Sequence, residues 1–384
     1  MSASIPLEAF IVGMYHTGIP LMIWGPPGNG KTSACKSAAI QIGTDMITVI
    51  ASVSEASDIG GIPYIGEAES PTGKIRKELH AASPYYIKKA NEKEGQLIFL
   101  DELTTAPPSV QAPLLNLVLN KAIESPIGRF TVPDSTYIVA AGNYNNVVGT
   151  HNMSMALMNR FTHLHHRVNI ELLREGFVSG WKNDVNIKIN SKSEQIDKLL
   201  KYRLAFSNFI KAQPDLAEKM PEELIVETDV AYPTPRSWEF ATIILSVLDQ
   251  NAFELLEELV YGTVGIEAGR HFMRFIQDYK GLEIDIPALA GKEDEFKLPY
   301  PDRHDHVSQI MSSVVYYLNE DPFKYKELWV KTVNTLHDHN YDGIIMKYLL
   351  SSIRHLLNSG AVKREELKAF KDRVKAYDLL GLQL

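Results

Sequence analysis

The stretch Gly25-Pro26-Pro27-Gly28-Asn29-Gly30-Lys31-Thr32, followed by Ser33, has the residue types and spacing of a loop that wraps a polyphosphate. Its glycines let backbone N–H groups turn toward phosphate oxygens at a helix N-terminus, where the helix dipole favours an anion. Lys31 can reach the β- and γ-phosphates, and the Thr32 hydroxyl can serve Mg²⁺. About seventy residues later, Leu97-Ile98-Phe99-Leu100 runs into Asp101-Glu102. Two carboxylates ending a buried strand are costly unless they have work at its C-terminal edge. Asp101 suits a magnesium ion held through its water shell, and Glu102 suits orienting and polarising an attacking water. An acidic pair after a strand is, taken alone, a solvated loop start; beside the phosphate loop it implies triphosphate hydrolysis.

Three further residues are candidates. Asn143, after Ala140-Ala141-Gly142, can hydrogen-bond a γ-phosphate or the lytic water, or simply serve a glycine-flanked turn. Arg160, in Asn159-Arg160-Phe161, can stabilise charge developing on a transferred phosphoryl group, or form a surface ion pair. Arg236, in Thr234-Pro235-Arg236-Ser237-Trp238, stands at a predicted helix start as a second phosphate reader or a capping-region charge. Arg167, Arg174 and Arg270 compete with both.

These residues need a scaffold. Leu21–Trp24, Met46–Ala51, Leu97–Leu100 and Tyr137–Ala141 are nearly all apolar, the pattern of parallel strands buried on both faces. Val110, Leu114, Leu117 and Val118 fall at helical spacing after Pro107-Pro108 and predict a helix packed on the sheet. Beyond Arg167 helical periodicity takes over, through Leu199, Phe240 and Leu248. Gly281 to Arg303 reads as a linker or exposed loop, and a last helical block includes Ile345, Leu349, Leu367 and Phe370. The expected fold is an α/β parallel sheet flanked by helices, followed by an α-helical lid and a C-terminal helical extension. The expected divisions are 1–166, 167–280 and 281–384.

The order of elements carries a resemblance. Asp101-Glu102-Leu103-Thr104-Thr105-Ala106-Pro107-Pro108-Ser109-Val110-Gln111, the following Leu-rich helix, Asn143, Asn159-Arg160-Phe161 and Pro235-Arg236 together resemble the MoxR-like branch of the AAA+ ATPases. So does Ser54 to Pro63, and the match spans residues 18 to 240. The resemblance implies an AAA+ core that binds and hydrolyses ATP with Mg²⁺. It also implies Asn143 as sensor 1, Arg160 as a finger acting on a neighbouring subunit's ATP, and Arg236 as sensor 2. A ring follows, typically a hexamer, remodelling a protein client, often one with a von Willebrand factor A domain. One departure is that the family's Asn-Pro after the sensor strand is here Asn143-Tyr144-Asn145-Asn146, which leaves Asn145 and Asn146 as alternative working amides.

Composition narrows the partners. A net charge of −8 argues against a dominant phosphate-contacting surface, so a nucleic-acid motor or loader subunit is the secondary reading. The single Cys35 excludes an intrachain disulfide, no Lys or Arg precedes Lys31, and no apolar run approaches the roughly 20 residues that span a bilayer. The expectation is a cytoplasmic protein. Gly60 to Gly73 predicts a projecting hairpin or loop in which Tyr64 either grips a client or packs under its own turn; Glu124–Asp134 is similar. His163, His165 and His166 lack nearby Cys or carboxylate spacing that completes a zinc site, and the Asp302 to His306 cluster, in the linker, reads as a solvated turn. Cys35 follows the phosphate loop, where a helix N-terminus can lower a thiol pKa, although such cysteines are mostly packing residues.

Overall fold

The computed structural model describes residues 5–69, 75–125, 128–144, 153–181, 185–221, 230–279, 286–298 and 304–380. Helix α1 (Leu7–Thr17) leads into β1 (Leu21–Trp24), α2 (Lys31–Ile42) and β2 (Met46–Ile50). Then come α3 (Ala56–Gly60), a hairpin of β3 (Ile62–Glu69) and β4 (Ile75–Ala82), α4 (Tyr85–Ala90) and β5 (Leu97–Asp101). Next are α5 (Pro108–Asn120), a hairpin of β6 (Ala122–Ser125) and β7 (Gly128–Thr131), β8 (Tyr137–Gly142), α6 (Met155–Met158) and β9 (Thr162–His165). Five strands form one sheet in the order β2-β5-β8-β1-β9, parallel at every pairing.

The apolar runs explain this sheet. Leu21–Trp24, Leu97–Leu100 and Ile138–Ala141 are completely buried, and such strands have no face to give to water. Crossover helices supply both covers. Helix α5 begins at the Pro107-Pro108 pair and buries Val110, Leu114, Leu117 and Val118 against the sheet core, as their spacing predicts. Register aligns the C-terminal ends of the central strands, with Trp24 opposite Gly142 and Leu100 opposite Ala140. Strand order places β1 between β8 and β9, so the chain reverses direction across the sheet at β1 and opens a crevice beyond its C-terminal end.

The remainder is helical: α7 (Ile170–Ser179), α8 (Lys192–Ala212), α9 (Pro235–Val247), α10 (Phe253–Val264), α11 (Ile266–Tyr279), α12 (Ile286–Leu289), α13 (His304–Glu320), α14 (Pro322–Asp338), α15 (Asp342–Asn358) and α16 (Leu367–Asp372). The described part of the expected linker is not structureless. It holds α12 and a 3-10 turn at Glu293–Glu295, because Ile286 and Phe296 are apolar enough to join the core of the last helices. By compactness the chain divides into two units, Met1–Arg203 with Gln213–Met273, and Leu204–Ala212 with Arg274–Leu384. Leu318, Trp329, Leu336, Ile345 and Leu356 centre the second core.

In the first unit α10 lies directly on the edge strand β9. A Cβ at Gly262 would sit 1.8 Å from the His163 carbonyl oxygen, and the buried hydroxyls of Thr162, one residue back in β9, and Thr263, one residue on in α10, meet at 2.9 Å. Backbone therefore touches backbone. Gly262→Ala should push the helix off the strand and cost about 1–3 kcal/mol as overpacking. Gly343→Ala, in α15 where a methyl meets nothing within 4 Å, should be neutral or slightly stabilising, and thermal or urea unfolding of the two variants checks the contrast.

Candidate active site

Between β1 and α2 the loop turns on Gly28 and Gly30, whose φ angles of 78° and 86° lie in the left-handed region that glycine enters without steric cost. Gly30 caps α2, so the open N–H groups of its first turn point into a cavity of about 330 Å³. Lys31 is only 9% exposed and its ammonium needs oxygen partners. They are the carbonyls of Gly25 at 2.7 Å and Pro26 at 2.9 Å, Asn29 Oδ1 at 3.2 Å and Asn143 Oδ1 at 3.5 Å. Burial lowers its pKa, against the opposing charges of Asp101 and Glu102.

The carboxylates enter from β5. Thr32 Oγ1 donates to Asp101 Oδ2 at 3.0 Å, so the hydroxyl and carboxylate expected to serve one magnesium ion converge at the cavity floor. Asp101 Oδ1 accepts from the Glu102 amide at 3.0 Å. Glu102 itself sits at φ 56°, ψ 37°, a left-handed conformation costing a non-glycine residue about 1 kcal/mol or more and typical of functional turns. Its Oε2 accepts from the Ser52 hydroxyl just past β2. Asn143, past β8, is pinned through its backbone: Thr104 Oγ1 accepts from its N–H at 2.9 Å and donates to its carbonyl at 3.2 Å. Gly142 has no room for a Cβ, which would lie 2.6 Å from Met22 and Thr104 atoms. Gly28 to Ser33, Asp101, Glu102 and Asn143 thus line one cavity.

The arginines stand elsewhere. Arg236 Nη1 lies 3.5 Å from Asn159 Oδ1, and Asn159 also donates to the helix-capping Thr234 hydroxyl at 3.1 Å. Arg160 donates to the Ala156 carbonyl at 3.0 Å, and burial, then the charge of Arg236, lowers its pKa. Neither lines the cavity. Of the competitors, Arg174 pairs with Glu171 at 2.6 Å and Arg167 lines a second cavity of about 600 Å³. That cavity also has Leu7, Phe10, His165, His166, Asn169 and Glu258 in its wall. Asn145 and Asn146, and the Asp302 to His306 cluster, lie outside the residues whose side chains the structure describes.

The β9 histidines serve packing and bracing. Trp24 Nε1 donates to His163 Nδ1 at 2.9 Å, which leaves Nε2 carrying the proton that faces the Met158 carbonyl at 3.0 Å. Tyr144 stacks between Trp24 and His165, with centroids 6.5 and 5.8 Å away. His166 contacts the phosphate loop at Asn29 through two hydrogen bonds. Among the described residues no group of three His, Cys, Asp or Glu is arranged to hold a metal. Cys35 is buried, which pushes its thiol pKa up rather than down and leaves it a packing residue. Tyr64 is 51% exposed and stacked on His80 at 5.6 Å. Ser52, Thr104 and His166 contact Glu102, Asn143 and Asn29, roles that no sequence pattern announces.

Residues 20–161 match the family described as the AAA domain of the dynein-related subfamily. This segment holds the phosphate loop, Asp101–Glu102, Asn143 and Arg160 and ends before Arg236, and its likeness to an AAA domain supports ATPase activity. No curated protein matches the chain. Among solved structures, a putative ATPase from Cytophaga hutchinsonii ATCC 33406 is 18% identical, over 66% of this chain and 79% of that one, with a TM-score of 0.38. No described helix is long and apolar enough to cross a membrane.

His163 has a consequence for stability. Burial outweighs its other contacts and lowers its pKa to about 3, whereas the unfolded imidazole titrates near its ordinary 6.5. Above pH 6.5 both states are neutral there; as pH falls toward 3 the unfolded chain takes up a proton that the native site refuses. Stability should therefore decline across that window. The His163→Gln variant, compared with the parent by urea midpoints at pH 7.5 and 5, should show a shallower decline.

Proposed function

We propose that this ATPase is a MoxR-like AAA+ protein, which couples ATP hydrolysis in an oligomeric ring, most simply a hexamer, to remodelling of a protein client. The observation that carries the hydrolytic part is convergence. Lys31, Thr32 with Asp101, Glu102 and Asn143 come from three adjacent parallel strand ends and the helix after them, and all border one cavity.

The first-turn N–H groups of α2 bind the phosphate oxygens, and Lys31 exchanges loop carbonyls for the β- and γ-phosphates. Thr32 and Asp101, which meet at 3.0 Å, would hold a magnesium ion, and the ion would neutralise phosphate charge. Glu102 orients a water and accepts its proton as the water oxygen bonds to the γ-phosphorus. The bond to the bridging oxygen breaks, and its electron pair leaves with ADP beside Lys31. Asn143 donates its amide to the γ-phosphate or to that water. The second cavity, with apolar Leu7 and Phe10 and polar Asn169 and Glu258, suits the adenine base.

The ring reading rests on the MoxR-like order of motifs and on Arg160, which does not line the cavity of its own subunit. A finger given to a neighbouring active site makes turnover depend on the subunit interface. Arg236 is the sensor 2 of this scheme, on a lid of residues 167–280 that follows an α/β domain of residues 1–166 and precedes an extension of 281–384. The client is a protein, with one carrying a von Willebrand factor A domain as the leading class. The net charge of −8 supports a protein over nucleic acid.

Two experiments separate these roles. Lys31→Ala should remove nucleotide binding, while Glu102→Gln should keep binding and lower turnover by about 10²–10⁴-fold, the usual worth of an acid–base group. Retained turnover in the second variant removes Glu102 from the chemistry. Mixing Arg160→Ala with Glu102→Gln subunits should restore part of the activity that neither has alone. Mixed assemblies that stay inactive would reject Arg160 as a finger in trans.

A further inference from the structure

We propose that His166 is a positioning residue for phosphate recognition: it braces Asn29, and through Asn29 the ammonium of Lys31. The inference rests on the phosphate-loop reading above.

Asn29 lies between Gly28 and Gly30, both at positive φ, so the loop is hinged on either side of it and has little stiffness of its own. The brace comes from the far side of β1. Just past β9, the His166 N–H donates to the Trp24 carbonyl at 2.7 Å, extending the β1–β9 ladder by one residue. From this fixed point His166 and Asn29 exchange two hydrogen bonds. Imidazole Nε2 lies 3.1 Å from the Asn29 carbonyl, and Asn29 Nδ2 lies 3.2 Å from the His166 carbonyl. A carbonyl only accepts, so Nε2 carries the proton.

Both ends of the Asn29 amide are thereby committed. Nδ2 faces a carbonyl and Oδ1 faces Lys31 Nζ at 3.2 Å. Reversing the amide would set NH₂ against the ammonium and oxygen against oxygen, so the contact with His166 fixes the acceptor that Lys31 meets. Gly25 permits this closeness, since a Cβ there would lie 2.4 Å from Asn29 Nδ2 and 2.8 Å from the His166 carbonyl. His166 borders the second cavity and Asn29 the first, so one contact joins the two.

Inorganic tripolyphosphate has no base and is blind to the second cavity, which makes it the discriminating probe beside ADP. His166→Ala and Asn29→Ala should each weaken tripolyphosphate binding about 5- to 30-fold, the worth of one or two hydrogen bonds. The double variant should be no worse than the weaker single within about 2-fold, because both act through one contact. His166→Gln, whose amide nitrogen can take the place of Nε2, should recover most of the affinity. Weakened ADP binding with unchanged tripolyphosphate binding would overturn the proposal in favour of a base contact. Additive losses tracking a fall in melting temperature, with no rescue by His166→Gln, would overturn it in favour of a purely structural role. If Lys31→Ala binds tripolyphosphate normally, the phosphate-loop reading fails and takes this inference with it; if Lys31→Ala alone loses binding, only this inference fails.

Discussion

A buried ammonium must be surrounded by oxygen, and the active-site edge is arranged around how Lys31 meets that demand. Its acceptors belong to the loop it follows and to Asn143 at the end of β8. Three of the four are themselves held: Gly25 by the Gly142 carbonyl at 3.2 Å, Asn29 by His166, and Asn143 by Thr104. Sheet register is the cause, because strands that end level with one another bring their following residues within reach of a single side chain. A phosphate entering the cavity competes with oxygens already in place, so recognition is an exchange of ligands around a cation whose desolvation was met on folding.

Glu102 stands under a different constraint. Its left-handed backbone turns the carboxylate away from the strand that delivers it, toward Ser52 past the neighbouring β2. From β2 the chain continues through α3 into the β3–β4 hairpin, where Ile65 and Leu79 stand opposite each other and exposed. Ser52, which meets the Glu102 carboxylate, and the exposed Ile65–Leu79 pair are thus joined by a short run of backbone.

Much of this was legible in the sequence because it is local. Glycines around a Lys-Thr pair, an aliphatic run ending in two acids, and helical spacing after Pro107-Pro108 each express a requirement met by neighbours in the chain. The edge strand β9 was harder to count among the strands, since Thr162 and His163 interrupt the aliphatic pattern while being fully buried. Burial there depends on partners, Thr263 for the hydroxyl and Trp24 for the imidazole, that lie 101 and 139 residues away. Thr104, Ser52 and His166 were illegible for the same reason. Their contacts cross 39, 50 and 137 residues, and a lone Thr, Ser or His announces nothing without the fold that delivers its partner.

The seam between α10 and β9 bears on motion. Most helices rest on sheets through interlocking side chains, which can repack and let a helix roll or slide by an ångström or two. Gly262 on the His163 carbonyl leaves no such cushion, and the Thr162–Thr263 hydroxyl pair pins the register beside it. Mechanically this junction is a weld. A displacement of α10 has to carry β9 along, and with it the strand end from which His165 and His166 border the second cavity and His166 meets Asn29 of the first.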